Sequence, residues 1–456
     1  MKRIAWLWLV SSLFSSVLTA VAETRPQYGG TLQIAMRAAP ISLDPASNAV
    51  SDSFARRTLT SLMFDTLVVI DESGRVKPGL AESWQATRGN QRWQFHLRHG
   101  ITFHDGTPLT SEIAASSLRL ANPAWNVTAE KDSVIIECEN PNPEMLAELA
   151  LSRNAIAKRD AGNKVVGTGP LHIVNWQPGK NLTLAAEENY WRGRPFLDGI
   201  EIELGKSFRD QTTSLEVGKA DLIEIAPEQS HRASQAGRRM ASSPPAELLA
   251  LVFARDASSR DEQLLRQALA LSIERGSILS VLLQGSGQTA AGLLPTWISG
   301  YGFLFPTEAN LTKARQLRDQ VRTLPTWTLG YDSGDPLARV VAERIALNAK
   351  DAGLSLQPIS SGGTDVRLIR VPIASADSWI ALQELVSELG LPTLKTKAGS
   401  AEELFSTEKG VLDTTRVIPL FHLPAAYASA LRLRNWTLRM DGSLDLSESW
   451  LVNTKP

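Results

Sequence analysis

Residues Lys77–Leu120 read KPGLAESWQATRGNQRWQFHLRHGITFHDGTPLTSEIAASSLRL, and the order of elements in this stretch decides the fold class. Trp93, Phe95 and Leu97 alternate with polar partners, the two-residue period of a strand with one buried face. His99-Gly100 interrupts that strand, and Ile101 and Phe103 restart the alternation. Asp105-Gly106-Thr107-Pro108 carries turn chemistry, and Thr110 follows as a helix N-cap with Glu112 in the first turn. Two strands, a turn and a helix in that order predict a packed α/β lobe, and they say nothing of chemistry.

The pattern continues outward in both directions. Upstream, Gly29-Gly30 opens a strand in which Leu32, Ile34 and Met36 alternate, and Ile41-Ser42-Leu43-Asp44-Pro45 makes a loop. Leu59, Leu62 and Met63 set an apolar stripe on a helix. Downstream, the chain passes quickly from Leu120 to Asn122-Pro123 and then to a strand at Val134. Gly167-Thr168-Gly169-Pro170 precedes a strand through Leu171 and Ile173, and NYWRGRPFLDGIEIEL (189–204) places Ile200, Ile202 and Leu204 on one strand face. The GTGP run lacks the Lys-Ser/Thr of a P-loop and the third glycine of a dinucleotide turn, which argues against a phosphate cradle. Leu264, Leu265, Ala268, Leu269, Ser272 and Ile273 share a helical face. A strand at Trp327–Tyr331, a helix from Pro336 to Ala352 ended by Gly353, and a strand at Leu354–Ile359 form a βαβ-like unit with parallel pairing.

Three of these stretches together carry a resemblance. Pro78-Gly79-Leu80-Ala81-Glu82-Ser83-Trp84, Phe95-His96-Leu97-Arg98 and Phe103 to Thr110 closely resemble the family 5 extracellular solute-binding proteins. GGTLQIAM with ISLDP, GTGP with NYWRGRPFLDGIEIEL, Leu265 to Arg275 and the late strand Val417 to His422 extend it along the chain. The resemblance implies a two-lobe type II (cluster C) periplasmic binding protein of the α/β class. Family members carry an extra domain inserted in the first lobe, and the short path after Leu120 predicts that it is trimmed here. The expected layout is a first lobe from 23–48, 167–247 and 430–456, an inserted subdomain at 49–166, and a second lobe at 248–429.

The bulk numbers fit. The chain has 456 residues, 43% hydrophobic and 21% charged, enough for two or three lobes with ample core. Met1-Lys2-Arg3, an apolar run from Ile4 to Leu18 and Ala20-Val21-Ala22 have the layout of a secretory leader, residues 1–22, cut before Glu23. No cysteine stands near that junction, which excludes a lipid anchor and predicts a freely soluble periplasmic protein. The formal charge of −1 becomes −3 without Lys2 and Arg3. A near-neutral chain with no basic block argues against a nucleic-acid partner. The single cysteine, Cys138, allows no internal disulfide and reads as a small packed apolar residue.

Chemistry is thinner. His96, His99 and His104 cluster in sequence, but the first two point to opposite faces and no acidic or thiol ligand joins them at a metal-site spacing. No G-x-S-x-G or H-E-x-x-H motif appears, so no enzyme is predicted, and no cofactor. Trp84, Trp93, Trp176 and Trp191 read as core. Candidate ligand contacts are Ser42 and Asp44 in the first loop, Tyr301 and Phe303 in SGYGFLFP, and Asp377 and Trp379 in ASADSW. In peptide-binding members an acidic residue of the last third, before a proline, pairs with the ligand's amino terminus. This chain lacks that Asp-Pro pair in the expected region, where Arg370 to Leu389 is short and diverged, and Asp377 is the nearest substitute. The resemblance implies a monomer that captures a peptide-like solute and hands it to an ABC permease in the inner membrane. A metal chelate, opine or oligosaccharide ligand, and an exported enzyme, remain as alternatives.

Overall fold

The computed structural model describes residues 25–452, apart from 48–51, 72, 88, 161, 163, 227–228, 230–237 and 395–396. The leader expected at 1–22 lies outside the described residues. Two strands, Arg239–Phe253 and Val417–Ser429, are much longer than the rest and lie antiparallel to each other. Around them one sheet runs through the molecule. On one side are Leu222–Glu224, Thr31–Ala35, Gly199–Glu203, Asn181–Ala186 and Leu171–Gln177; on the other are Val366–Pro372, Thr326–Gly330 and Ser355–Ile359.

The two long strands therefore belong to two lobes in turn. Ser429 and Tyr427 pair with the first-lobe strand Leu222–Glu224, whereas Glu247 to Phe253 pair with the second-lobe strand Val366–Pro372. Between those regions the ladder shifts register on both sides of Pro245, which stands opposite Pro424. Proline has no N–H to give a ladder, so the sheet is weakest where it passes from lobe to lobe.

Each lobe has its own core. In the first, Leu32, Ile34, Leu182, Leu184, Ile200 and Ile202 pack against Leu59, Leu62 and Met63 of the helix Phe54–Met63. The expected layout counts that helix with the subdomain at 49–166, but it is part of the first-lobe core. In the second, Leu249, Leu251 and Phe253 face one layer with Leu269, Val341 and Ile345, while Leu248, Ala250 and Val252 face another with Leu382 and Leu385. Burial on both faces explains the unbroken apolar run LLALVF at the end of this crossing strand.

The stretch that decides the fold forms a compact subdomain. Ala81–Ala86, Arg92–Leu97, Ser133–Glu137 and Asn126–Glu130 make an antiparallel sheet in that order. Trp93, Phe95 and Leu97 point inward against Ala114 and Leu118 of the helix Ser111–Ala121. The Thr110 hydroxyl oxygen accepts from the Ile113 N–H at 3.3 Å, the cap expected from sequence. Cys138 is half-buried against this cluster, and burial raises its thiol pKa.

The chain returns to the first lobe through GTGP. A Cβ on Gly167 or Gly169 would overlap the Met63 carbonyl group, so the two glycines allow the returning strand to pass against the end of the helix. Beside them, the buried Asp65 carboxylate accepts from Thr168 Oγ1, Tyr190 OH and Trp191 Nε1, each at 3.0 Å. The βαβ unit stands where the sequence puts it. Thr326–Gly330 and Ser355–Ile359 pair in parallel, joined by the helix Pro336–Asp351, and Gly353 turns the chain with φ +77°.

Candidate functional site

Val366–Pro372 runs on beyond its parallel neighbour Thr326–Gly330, whose last residue pairs with Arg367. That mismatch leaves a notch above the end of the shorter strand. The notch opens into a cavity of about 660 Å³, walled by Leu368, Ile369 and Arg370 and floored by Gly330 and Tyr331. Arg37, two residues past the first-lobe strand Thr31–Ala35, closes it from the other lobe. In α/β sheets such crevices outside the carboxyl ends of strands are where ligands bind.

The cavity is lined with charge of both signs. Asp335 is 3% exposed. One of its carboxylate oxygens caps the helix Pro336–Asp351, accepting from Leu337 N–H at 3.0 Å and Ala338 N–H at 3.3 Å. Its other oxygen lies 3.1 Å from Arg370 Nη2. Arg370 Nη1 reaches Glu247 Oε2 at 3.2 Å, which ties the cavity wall to the crossing strand next to Pro245. Asp332 at the mouth is exposed and accepts from Gly334 N–H at 2.8 Å.

Arg37 faces this array from the first lobe. Its Nη1 lies 3.8 Å from Asp332 Oδ2 and 3.9 Å from Asp335 Oδ2. The guanidinium sits 5.3 Å from the centre of the Phe208 ring. Its backbone N–H donates to the Glu224 carboxylate, which also accepts from Gln211 Nε2 at 3.2 Å. Burial pushes the Glu224 carboxyl above the usual range, partly offset by those donors.

Away from the cavity the lobes are fastened a second time. Arg57, 4% exposed in the first-lobe helix, donates to the Ile373 and Asp441 carbonyls at 2.8 Å and to Asp52 Oδ2 at 2.9 Å. Arg153 and Glu144, beside the four-stranded subdomain, contact Glu384 and Lys397 of the second lobe.

The residues singled out from sequence are dispersed, and none lines this cavity. Ser42 Oγ accepts from the Asp44 N–H at 3.2 Å, and Asp44 pairs with Arg159 at 2.9 and 2.5 Å. Tyr301 is buried and donates to Glu408 Oε2 at 2.7 Å, whereas Phe303 is 72% exposed. Asp377 caps the helix Ser378–Glu388, accepting from the Trp379 and Ile380 N–H groups at 3.1 and 3.0 Å. Trp379 packs against the second-lobe core. His96 Nδ1 lies 2.9 Å from Ser133 Oγ and His104 Nε2 lies 2.9 Å from the Gly169 carbonyl. Among the described residues no group of three or more His, Cys, Asp or Glu is arranged to hold a metal.

Arg37, Glu247, Asp332, Asp335 and Arg370 were not singled out by sequence reasoning. The sequence holds one signal: Asp335-Pro336, a few residues past the strand Thr326–Gly330, is a helix start, and such starts in α/β folds lie at the ligand-bearing end of the sheet.

Two lobes on one sheet, joined by a pair of crossing strands, enclose a charged cleft at the strand ends. The fold matches that of a dipeptide binding protein from Pseudoalteromonas sp. SM9913 in complex with Met-Leu, with a TM-score of 0.81 at 15% identity. The match covers 93% of this chain and 100% of that one. The family model described as "Bacterial extracellular solute-binding proteins, family 5 Middle" matches residues 75–368. The chain belongs to that family, and its fold is the two-lobe type II fold of periplasmic binding proteins. Among curated relatives, the nickel-binding protein NikA of Staphylococcus aureus is 24% identical over 312 residues, 64% of this chain and 63% of NikA. The peptide transport periplasmic protein SapA of Salmonella typhimurium is 22% identical over 406 residues, 76% of this chain and 71% of SapA. The chain spans about three fifths of the length of several curated relatives it matches.

Proposed function

We propose that this chain is the solute-capturing component of an ABC importer. It works in the periplasm as a monomer, closes its two lobes over a peptide-like solute, and delivers that solute to an inner-membrane permease. The observation that carries this reading is the cavity shared between Arg37 of the first lobe and the Asp332, Asp335 and Arg370 wall of the second. The lobes are joined at a proline-interrupted crossing, so closure is a hinge motion that removes water from the cavity and strengthens every polar contact to the solute. Charges of both signs in the lining suit a solute with an ammonium and a carboxylate. The SapA relative and the Met-Leu complex support a peptide as that solute.

Titration calorimetry with defined two- to five-residue peptides tests this. Micromolar or tighter binding that Arg370→Ala weakens at least tenfold is expected. Tight binding of a nickel–histidine chelate or an opine, with no response to any peptide, would replace the peptide assignment.

A further inference from the structure

The contact between Arg37 and the two aspartates differs from its neighbours. Arg370 reaches Asp335 and Glu247 at 3.1 and 3.2 Å, within hydrogen-bond distance. Arg37 Nη1 stops at 3.8 and 3.9 Å from Asp332 and Asp335, held by charge over a longer gap. The Arg37 side chain is 33% exposed and that of Asp332 is 66% exposed. An ion pair so open to water is weak, and its charges exchange partners at little cost. Yet it bridges the lobes, because Arg37 follows a first-lobe strand and Asp332 follows a second-lobe strand. Its position is also fixed: the Arg37 N–H is held by Glu224, and the guanidinium lies over Phe208.

We propose that Arg37 is a displaceable strap across the mouth of the cavity, which holds the lobes together by pairing with Asp332 and Asp335 until a cationic group of the solute takes its place beside Asp332. Asp335 keeps its bond to Arg370 throughout, so the exposed Asp332 makes the exchange. The strap favours the closed protein without solute, and once a solute is bound it has already released the aspartates. Removing it therefore relieves a competitor and leaves the solute's own contacts in place. A solute with no cation cannot make the exchange, so Asp332 stays paired with Arg37 and the strap stays across the mouth. The cationic class of solute rests on the proposed function; the strap does not.

Wild type, Arg37→Gln, Arg37→Lys and Asp332→Asn are compared in two ways. Without peptide, small-angle scattering and hydrogen exchange should show a more extended particle and faster exchange at 331–338 in Arg37→Gln, with Arg37→Lys close to wild type. With peptide, trialanine with a free amino end should bind Arg37→Gln at least threefold more tightly than wild type, and Asp332→Asn at least threefold more weakly. N-acetyl-trialanine should show neither change. Scattering and exchange that are identical in wild type and Arg37→Gln would overturn the strap. Weaker trialanine binding by Arg37→Gln would overturn displacement. If neither peptide binds any variant, the peptide assignment loses its support and displacement by a peptide amino end is overturned, and scattering and exchange still decide the strap.

Discussion

Pro245 stands directly opposite Pro424 where two antiparallel strands cross from one lobe to the other. Neither can donate to the ladder, and the register shifts on both sides of Pro245. Trp297 lies against this point, its indole N–H donating to the Pro245 carbonyl at 2.8 Å. The crossing combines continuity of the chain with a local loss of sheet hydrogen bonds. That is what a hinge between two rigid lobes requires.

Pro245→Ala restores a backbone donor at the crossing. Stability should change by no more than about 1 kcal/mol, as for other proline replacements on compatible backbone. The rate of closure should fall several-fold, read by stopped-flow tryptophan fluorescence with Trp297 as the neighbouring reporter. An unchanged rate would place the hinge elsewhere.

Tyr301 is an aromatic candidate for ligand contact in the sequence, but its hydroxyl is committed to a buried carboxylate. Glu408 accepts from it at 2.7 Å and from the Leu294 N–H at 3.1 Å, and burial raises the Glu408 carboxyl pKa. Tyr301→Phe leaves a carboxylate oxygen without that donor and should cost about 2 kcal/mol. Urea denaturation reads that loss, and solute affinity should stay within twofold of wild type. A large change in affinity with little change in stability would return Tyr301 to the binding site.

Asp65 collects three side-chain donors between the first-lobe core and the four-stranded subdomain. Asp65→Ala strands all three and should destabilise the protein by about 3 kcal/mol or more. Asp65→Asn keeps the shape and one acceptor, and should cost less than half as much. Equal losses for the two variants would show that packing, not donor satisfaction, sets the cost.

His422 gives the pH dependence. It is buried on a crossing strand with Nε2 2.9 Å from the Leu293 carbonyl, and burial lowers its pKa from 6.5 to about 4. As pH falls below 6.5 the unfolded chain takes a proton that the folded chain refuses until about pH 4. The folded state therefore loses stability through that window, up to roughly 3 kcal/mol from this group. Buried carboxyls with raised values, such as Glu224 and Glu408, act in the opposite sense, so the test is a difference. Stability of His422→Gln relative to wild type should rise steadily between pH 6.5 and pH 4. A flat difference would mean that His422 titrates normally.

Local features of the fold were legible in the sequence. The strand through Trp93, Phe95 and Leu97, the Thr110 cap and the unit from Thr326 to Ile359 each depend on residues close in sequence, where periodicity and capping act. The cleft was not legible. Arg37, Glu247, Asp335 and Arg370 come from segments up to 333 positions apart and meet only through sheet order, which periodicity does not encode. Asp377 shows the reverse case. Its sequence context suits a ligand contact, yet ASADSW is equally a helix start, and Asp377 Oδ1 accepts from the first two N–H groups beyond Ser378 as a cap.

The most direct test of solute capture is native mass spectrometry of the protein recovered gently from the cell envelope of cells that make it, followed by denaturation to identify what is released. The account predicts a ladder of bound masses that resolves into short peptides with free amino ends and is depleted in Arg370→Ala. Protein that emerges bare from peptide-rich medium, or that carries only a sugar or a metal chelate, would contradict it.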